Sequence, residues 1–188
     1  MYKIIPWNND IDLSDFYQEA EKRGFYNNAS QKNLIESISK EREYQIWILY
    51  YNDIIVGSVA AHSLSEINPN AYRIAARTCV FTDKLPGTYG RGLRTISVIT
   101  EHQNPTAQFF IPVCIDWVNG RGDMYITTHP SDVGTQKLVH NIYAPSLEKT
   151  NVLTRSFERE YRGHTQTFWK LNPNVFLEQL NRSPRWSS

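Results

Sequence analysis

Apolar residues change their spacing several times along this chain, and each change marks an element. Tyr2 to Trp7, interrupted by Pro6, predicts a short strand. Leu13, Phe16, Tyr17 and Ala20 then fall at helical spacing, with Asp12 placed to cap the helix and Gly24 to end it. Ser30 is a candidate cap for a second helix carrying Leu34, Ile35 and Ile38 on a narrow apolar stripe. From Tyr44 to Leu64 the period drops to two, and the run is broken only by Asn52 and Asp53, which predicts a hairpin. Ile46 and Ile48 lie on one face of its first arm and Trp47 and Leu49 on the other, so this strand is expected to be covered on both sides. Gly57, Ser58, Ala60 and Ala61 thin the second arm, leaving room for a neighbour to come close.

Tyr72 to Thr82 reads as the next strand, and strict alternation puts Arg73, Ala75, Arg77, Cys79 and Phe81 on one face. Two arginines pointing the same way either face an anion or snorkel at the sheet margin and pair with acids. Pro86, Gly87, Gly90 and Gly92 then break the chain into a loop. Leu93 to Thr100 reads as a strand through Ile96, Val98 and Ile99, with helix the alternative. Asn104 followed by Pro105 is a helix start, and Ala107, Phe110, Ile111, Cys114, Trp117 and Val118 share one face before Asn119 and Gly120. An interior proline costs a helix about 3 kcal/mol, so Pro112 predicts a kink or a later true start. Asp123 to His129 reads as a strand, Thr135 to Ala144 as a helix, Val152 to Tyr161 and Gly163 to Leu171 as a second hairpin, and Val175 to Leu180 as a final helical turn. The expectation is a single α/β domain over 1–182, with a central mixed and mostly antiparallel sheet flanked by helices, and a tail at 183–188.

Composition narrows the class. A chain of 188 residues with 13% aromatics can bury a core without metal or disulfide staples. Twenty basic against nineteen acidic residues give a net charge of +1, so no global field draws it to nucleic acid or anionic lipid. The distribution is less even, since Tyr72 to Arg94 holds Arg73, Arg77, Lys84, Arg91 and Arg94 against Asp83 alone. Cys79 and Cys114 each sit in an apolar element, which suits a reducing compartment, and the cytoplasm is expected. No stretch of about 18 apolar residues predicts a membrane span. His62, His102, His129, His140 and His164 form no ligand pair at helical or zinc-finger spacing, and no metal is expected.

The order of strand, two helices, hairpin, strand, glycine loop, helix, strand, helix and hairpin resembles the GNAT-type N-acetyltransferase superfamily. Ile46 to Ala61 looks like that superfamily's hairpin, and Val80 to Leu93 looks like its strand end running into the acyl-CoA loop. The combination is also similar to acetyltransferase-like proteins of tailed phages. The resemblance implies acetyl-CoA as co-substrate, with its diphosphate on backbone donors of the glycine loop. The candidate cofactor residues are then Val80, Phe81, Gly87, Gly90, Arg91 and Gly92, with Gly87 standing where the family has Arg or Gln. The alternative is a plain glycine turn between strands.

The same resemblance implies direct attack of an amine on the thioester, with a tyrosine protonating the leaving thiolate. Tyr143 matches that tyrosine by location, and it could equally be a core or rim residue. Candidate general bases are Glu101, His62, Asp116 and His129, with Glu101 favoured because a carboxylate near a helix N-terminus stays ionised. The expected acceptor is a small-molecule or peptide amine, and the expected assembly a monomer or homodimer. Two other functions fit the pattern. One is a nucleic-acid or nucleotide-directed protein using Arg73, Arg77, Arg91 and Arg94 with interleaved aromatics. The other is a scaffold without catalysis, for which Gly87, Pro105 and Pro112 are the signs.

Overall fold

The computed structural model describes residues 1–25, 34–85, 106–128, 151–161 and 163–181. Its elements are β1 (Tyr2–Pro6), α1 (Ser14–Lys22), α2 (Leu34–Ile38), β2 (Tyr44–Tyr51), β3 (Ile54–Ser63), β4 (Ala71–Val80), α3 (Ile111–Val118), β5 (Asp123–Thr128), β6 (Leu153–Tyr161), β7 (His164–Leu171) and α4 (Pro173–Asn181). The N-cap position of α1 is Leu13 rather than the expected Asp12, whose carboxylate instead accepts the Ser14 amide at 2.9 Å from one residue before the cap, while Gly24 closes the helix at φ +77°. Asn52 and Asp53, at φ 47° and 62°, make the two-residue turn that the twist of a hairpin favours.

The strands form one sheet in the order β1-β2-β3-β4-β5-β7-β6. Every neighbouring pair is antiparallel except β4 and β5, which run parallel. That parallel pair needs a crossover, and α3 provides it. On the α3 side, Trp47, Leu49, Val59 and Ile74 pack with Phe110, Cys114 and Val118. On the other side, Ile46, Ile48, Ala60 and Ala76 pack with Leu13 and Ile38, while Cys79 and Phe81 pack with Phe16 and Ala20 of α1. β2 is therefore covered on both faces, as its alternation predicts.

Pro112 is accommodated by a later helix start. Thr106–Phe110 forms a wider, π-type turn, and the α-helix begins only at Ile111, so the proline falls in the first turn where its missing N–H has no intrahelical partner anyway. An eight-residue helix is marginal by propensity. Burial of Phe110, Ile111, Ile115 and Val118 holds it, each side chain contributing about 1.5–3 kcal/mol relative to exposure. Gly57 permits this docking, because a Cβ there would stand 3.0 Å from the Cys79 carbonyl oxygen and 3.2 Å from the Phe110 ring. Among the described residues, no helix is long and apolar enough to cross a membrane.

Candidate functional site

The parallel contact between β4 and β5 is short. It comprises Ala71 with Asp123, Tyr72 with Met124, and Arg73 with Tyr125. Beyond that point Ile126, Thr127 and Thr128 pair only with β7, while β4 continues to Val80 beside β3. Among the described residues the two strands therefore part toward their C-terminal ends, and the sheet opens as a wedge. Its closed end is tight. Asp123 donates its amide to the Asn70 carbonyl at 2.8 Å, and a Cβ on Gly122 would fall 1.8 Å from that same oxygen. Only glycine lets the two backbones meet there.

β4 itself is irregular along the wall of the wedge. Ala60 opposes Ala76 and His62 opposes Arg73, so Ile74 and Ala75 together face Ala61 alone. Ser58 opposes Cys79, so Arg77 and Thr78 together face Val59 alone. These are two β-bulges, each inserting one residue. Ala75 at φ 51° and Arg77 at φ 53° adopt the left-handed conformation there, which costs a non-glycine residue about 1–2 kcal/mol. The Thr78 hydroxyl bonds the Ala75 carbonyl at 2.8 Å, and a backbone hydrogen bond from Ala75 reaches the Cys114 thiol. Burial nonetheless pushes that thiol up to about 12, and both cysteines are buried and form no disulfide.

The bulges correct one expectation from the sequence. Arg73 and Arg77 do not share a face. Arg73 opposes His62, the Arg77 and Thr78 pair opposes Val59, and residues three apart on β3 point to opposite sides. Two of the four arginines expected for nucleic-acid contact therefore lie on opposite sides of the sheet, and the other two, Arg91 and Arg94, lie outside the described residues.

Of the expected cofactor residues, Val80 and Phe81 lie at the open end of the wedge. The Phe81 amide donates to the Val56 carbonyl on β3 at 2.7 Å, so by strand alternation the polar groups of Val80 point the other way, toward the gap. The Phe81 side chain is core. It is 1% exposed, packs in a tilted arrangement with its centroid 4.9 Å from that of Phe16, and lies under the Arg23 guanidinium at 4.5 Å. Arg23 also pairs with Asp83 and holds its carboxyl below the ordinary range, which fixes the turn Thr82–Lys84 where the chain leaves β4. Gly87, Gly90, Arg91, Gly92, Glu101, His129 and Tyr143 lie outside the described residues, as do Leu93 to Pro105 and the helix expected near Thr135 to Ala144.

The two remaining candidate bases are poorly placed. His62 is buried on β3, one strand away from the gap, with Nδ1 2.9 Å from the Ser63 carbonyl and 3.8 Å from the Glu41 carboxylate. Asp116 is exposed on the outer side of α3.

A group of residues that the sequence does not single out gathers on the sheet face away from α3. Thr167 pairs with Thr128, the last described residue of β5, so Gln166 and the β7 residues before it run past the described end of β5. Tyr161 there lies 5.8 Å from Phe168 and 5.9 Å from the Arg73 guanidinium. Gln166 is 3% exposed and donates from Nε2 to the Tyr161 carbonyl at 3.2 Å.

No family model matches the sequence, and no curated relative does either. Solved structures do match. A Desulfovibrio desulfuricans protein assigned to the GNAT family of acetyltransferases aligns at TM-score 0.58 and 11% identity, over 92% of this chain and 99% of its own. The ribosomal-protein-S18-alanine N-acetyltransferase of Escherichia coli aligns at 0.52 and 13%, over 91% and 93%. A Salmonella typhimurium protein assigned as an acetyltransferase, solved with its cofactor acetyl-CoA, aligns at 0.52 and 11%, over 92% and 94%. At such identities the likeness is one of fold.

Proposed function

We propose, for a chain with the fold of the GNAT acetyltransferases, that it transfers an acetyl group from acetyl-CoA to an amine. The observation that carries this reading is the wedge, in which β4 and β5 meet over only three residue pairs and then part. A parted pair of strands leaves main-chain donors and acceptors facing a gap, and an extended arm bearing amides can satisfy them as an added strand would. The pantetheine arm of acetyl-CoA has that chemistry. The Val80 peptide groups would hold it on the β4 side, and the loop with Gly87, Gly90, Arg91 and Gly92 would receive the diphosphate. Bare glycine amides and a cationic guanidinium both favour that anion.

In the reaction, the neutral amine nitrogen attacks the thioester carbonyl carbon, and the C–N bond forms as the C–S bond breaks. Glu101 takes the proton released from nitrogen. Tyr143 gives its hydroxyl proton to the leaving thiolate. Each positioned proton transfer typically contributes about 10²- to 10⁴-fold.

The test is thermal unfolding with and without acetyl-CoA. At 100 times its dissociation constant the ligand should add about 2.7 kcal/mol, which for a chain of this size raises Tm by roughly 5–10 °C. Tyr143→Phe should keep that shift while lowering kcat by about 10²-fold or more. Absence of any shift at millimolar acetyl-CoA would remove the reading.

A further inference from the structure

On the face of the wedge away from α3, two buried oxygens have no hydrogen-bond partner among the described residues. They are Oγ1 of Thr127 and Oε1 of Gln166. They belong together. Thr127 opposes Phe168 on β7, and Gln166 stands two residues before Phe168, so all three side chains share one face. An orphaned buried acceptor is costly, and no described residue relieves these two. Gln166 cannot turn to help, because its Nε2 is committed to the Tyr161 carbonyl. Among the described residues, neither oxygen has a donor.

Two arginines among the described residues stand on that face, while the Asp123 carboxylate further back along β5 is held by Lys170 at 3.0 Å. Arg73 lies beside Tyr161 on the same face, and Arg159 is the β6 residue opposite Gln166, where it is exposed. The carboxylate of Glu158, one residue earlier, turns to the other side, where it meets the Thr167 hydroxyl at 3.3 Å. A polycation is disfavoured beside two guanidinium groups. A group that joins N–H donors to a nearby negative charge suits both the oxygens and the arginines.

We propose that Thr127 Oγ1 and Gln166 Oε1 receive the N–H donors of an acceptor amine that also carries a carboxylate, as an amino acid or peptide does, with Arg73 and Arg159 favouring the carboxylate. The proposal rests on the acyltransferase reading and specifies the class of its second substrate. Thr127 and Gln166 bind the amine before attack, and neither is assigned a proton transfer.

The experiment measures acetyl-CoA-dependent thiol release by the full chain with three probes: L-alanyl-L-alanine, its C-terminal amide, and spermidine. The carboxylate-bearing dipeptide should exceed the amide by roughly tenfold in kcat/KM, the factor expected for losing one charged contact, and spermidine should be the poorest. Thr127→Val should raise KM for the dipeptide about tenfold while KM for acetyl-CoA stays fixed. Because that change removes an unpartnered hydroxyl, Tm should hold or rise, whereas a purely structural threonine would lower it. Arg159→Glu, at an exposed position, should erase the preference for dipeptide over amide. A preference for spermidine, equal rates with dipeptide and amide, or no turnover of any probe by a chain that acetyl-CoA stabilises overturns the proposal alone. If acetyl-CoA gives no stabilisation, the acyltransferase reading falls and this proposal falls with it.

Discussion

Gly122 carries the sharpest single-residue consequence. The wedge depends on the strands meeting at one end as much as on their parting at the other, and the meeting is backbone against backbone. A Cβ at 1.8 Å from the Asn70 carbonyl oxygen cannot be absorbed by turning a side chain. Gly122→Ala should therefore push β5 away from β4 and cost at least about 1–3 kcal/mol, the range for overpacking. In a chain of this size that lowers Tm by roughly 2–12 °C, which thermal unfolding reads directly. An alanine variant as stable as the parent would mean that the closed end is looser than described. At Gly57 the contacts are milder, 3.0 Å to the Cys79 carbonyl oxygen and 3.2 Å to the Phe110 ring.

At the scale of elements, β4 departs most from what its sequence predicts. Alternation from Tyr72 onward predicts a regular strand, and Ala75 and Arg77 give no sign of left-handed backbone, since neither is glycine, asparagine or aspartate. Such strain persists only where surrounding structure imposes it, and it concentrates at functional sites. Ala75→Gly should relieve the strain at that bulge and stabilise the chain by about 0.5–1 kcal/mol in denaturant unfolding. A destabilising result would mean that packing of the alanine methyl outweighs the backbone term. Other elements were legible because one local rule dominates each. The Asn52 and Asp53 turn, the two-sided strand Tyr44–Tyr51, the glycine stop at Gly24 and the Asn119 stop of the crossover helix all follow from turn chemistry or apolar period. Pro112 left two outcomes open, and the later helix start is the one realised. Thr127 and Gln166 were invisible because nothing in a threonine or a glutamine on a strand announces an unpaired oxygen. That property arises only when β5, β6 and β7 come together.

At the scale of the whole molecule, the order of elements already implied the acetyltransferase fold, and the matching structures place the chain there at 11–13% identity. What the order could not give is where the sheet parts, because a pairing register is a long-range property. Among the described residues, seven strands hold together as two groups, β1 to β4 and β5 to β7, joined through three residue pairs. The α3 face presents a packed helix to that junction, and the opposite face presents arginines and orphaned oxygens. In the proposed reaction, the acetyl donor would thread through the junction and the amine would arrive from the polar side.

The measurement closest to this account is amide hydrogen exchange of the full chain, with and without saturating acetyl-CoA. The account predicts that protection gained on binding concentrates along the parted edges, over residues 77–81 of the β4 wall and 126–128 of β5, while β1 and β2 stay as they were. Binding that leaves those amides unchanged, with protection appearing elsewhere, would contradict the claim that the gap between β4 and β5 is the acetyl-CoA site.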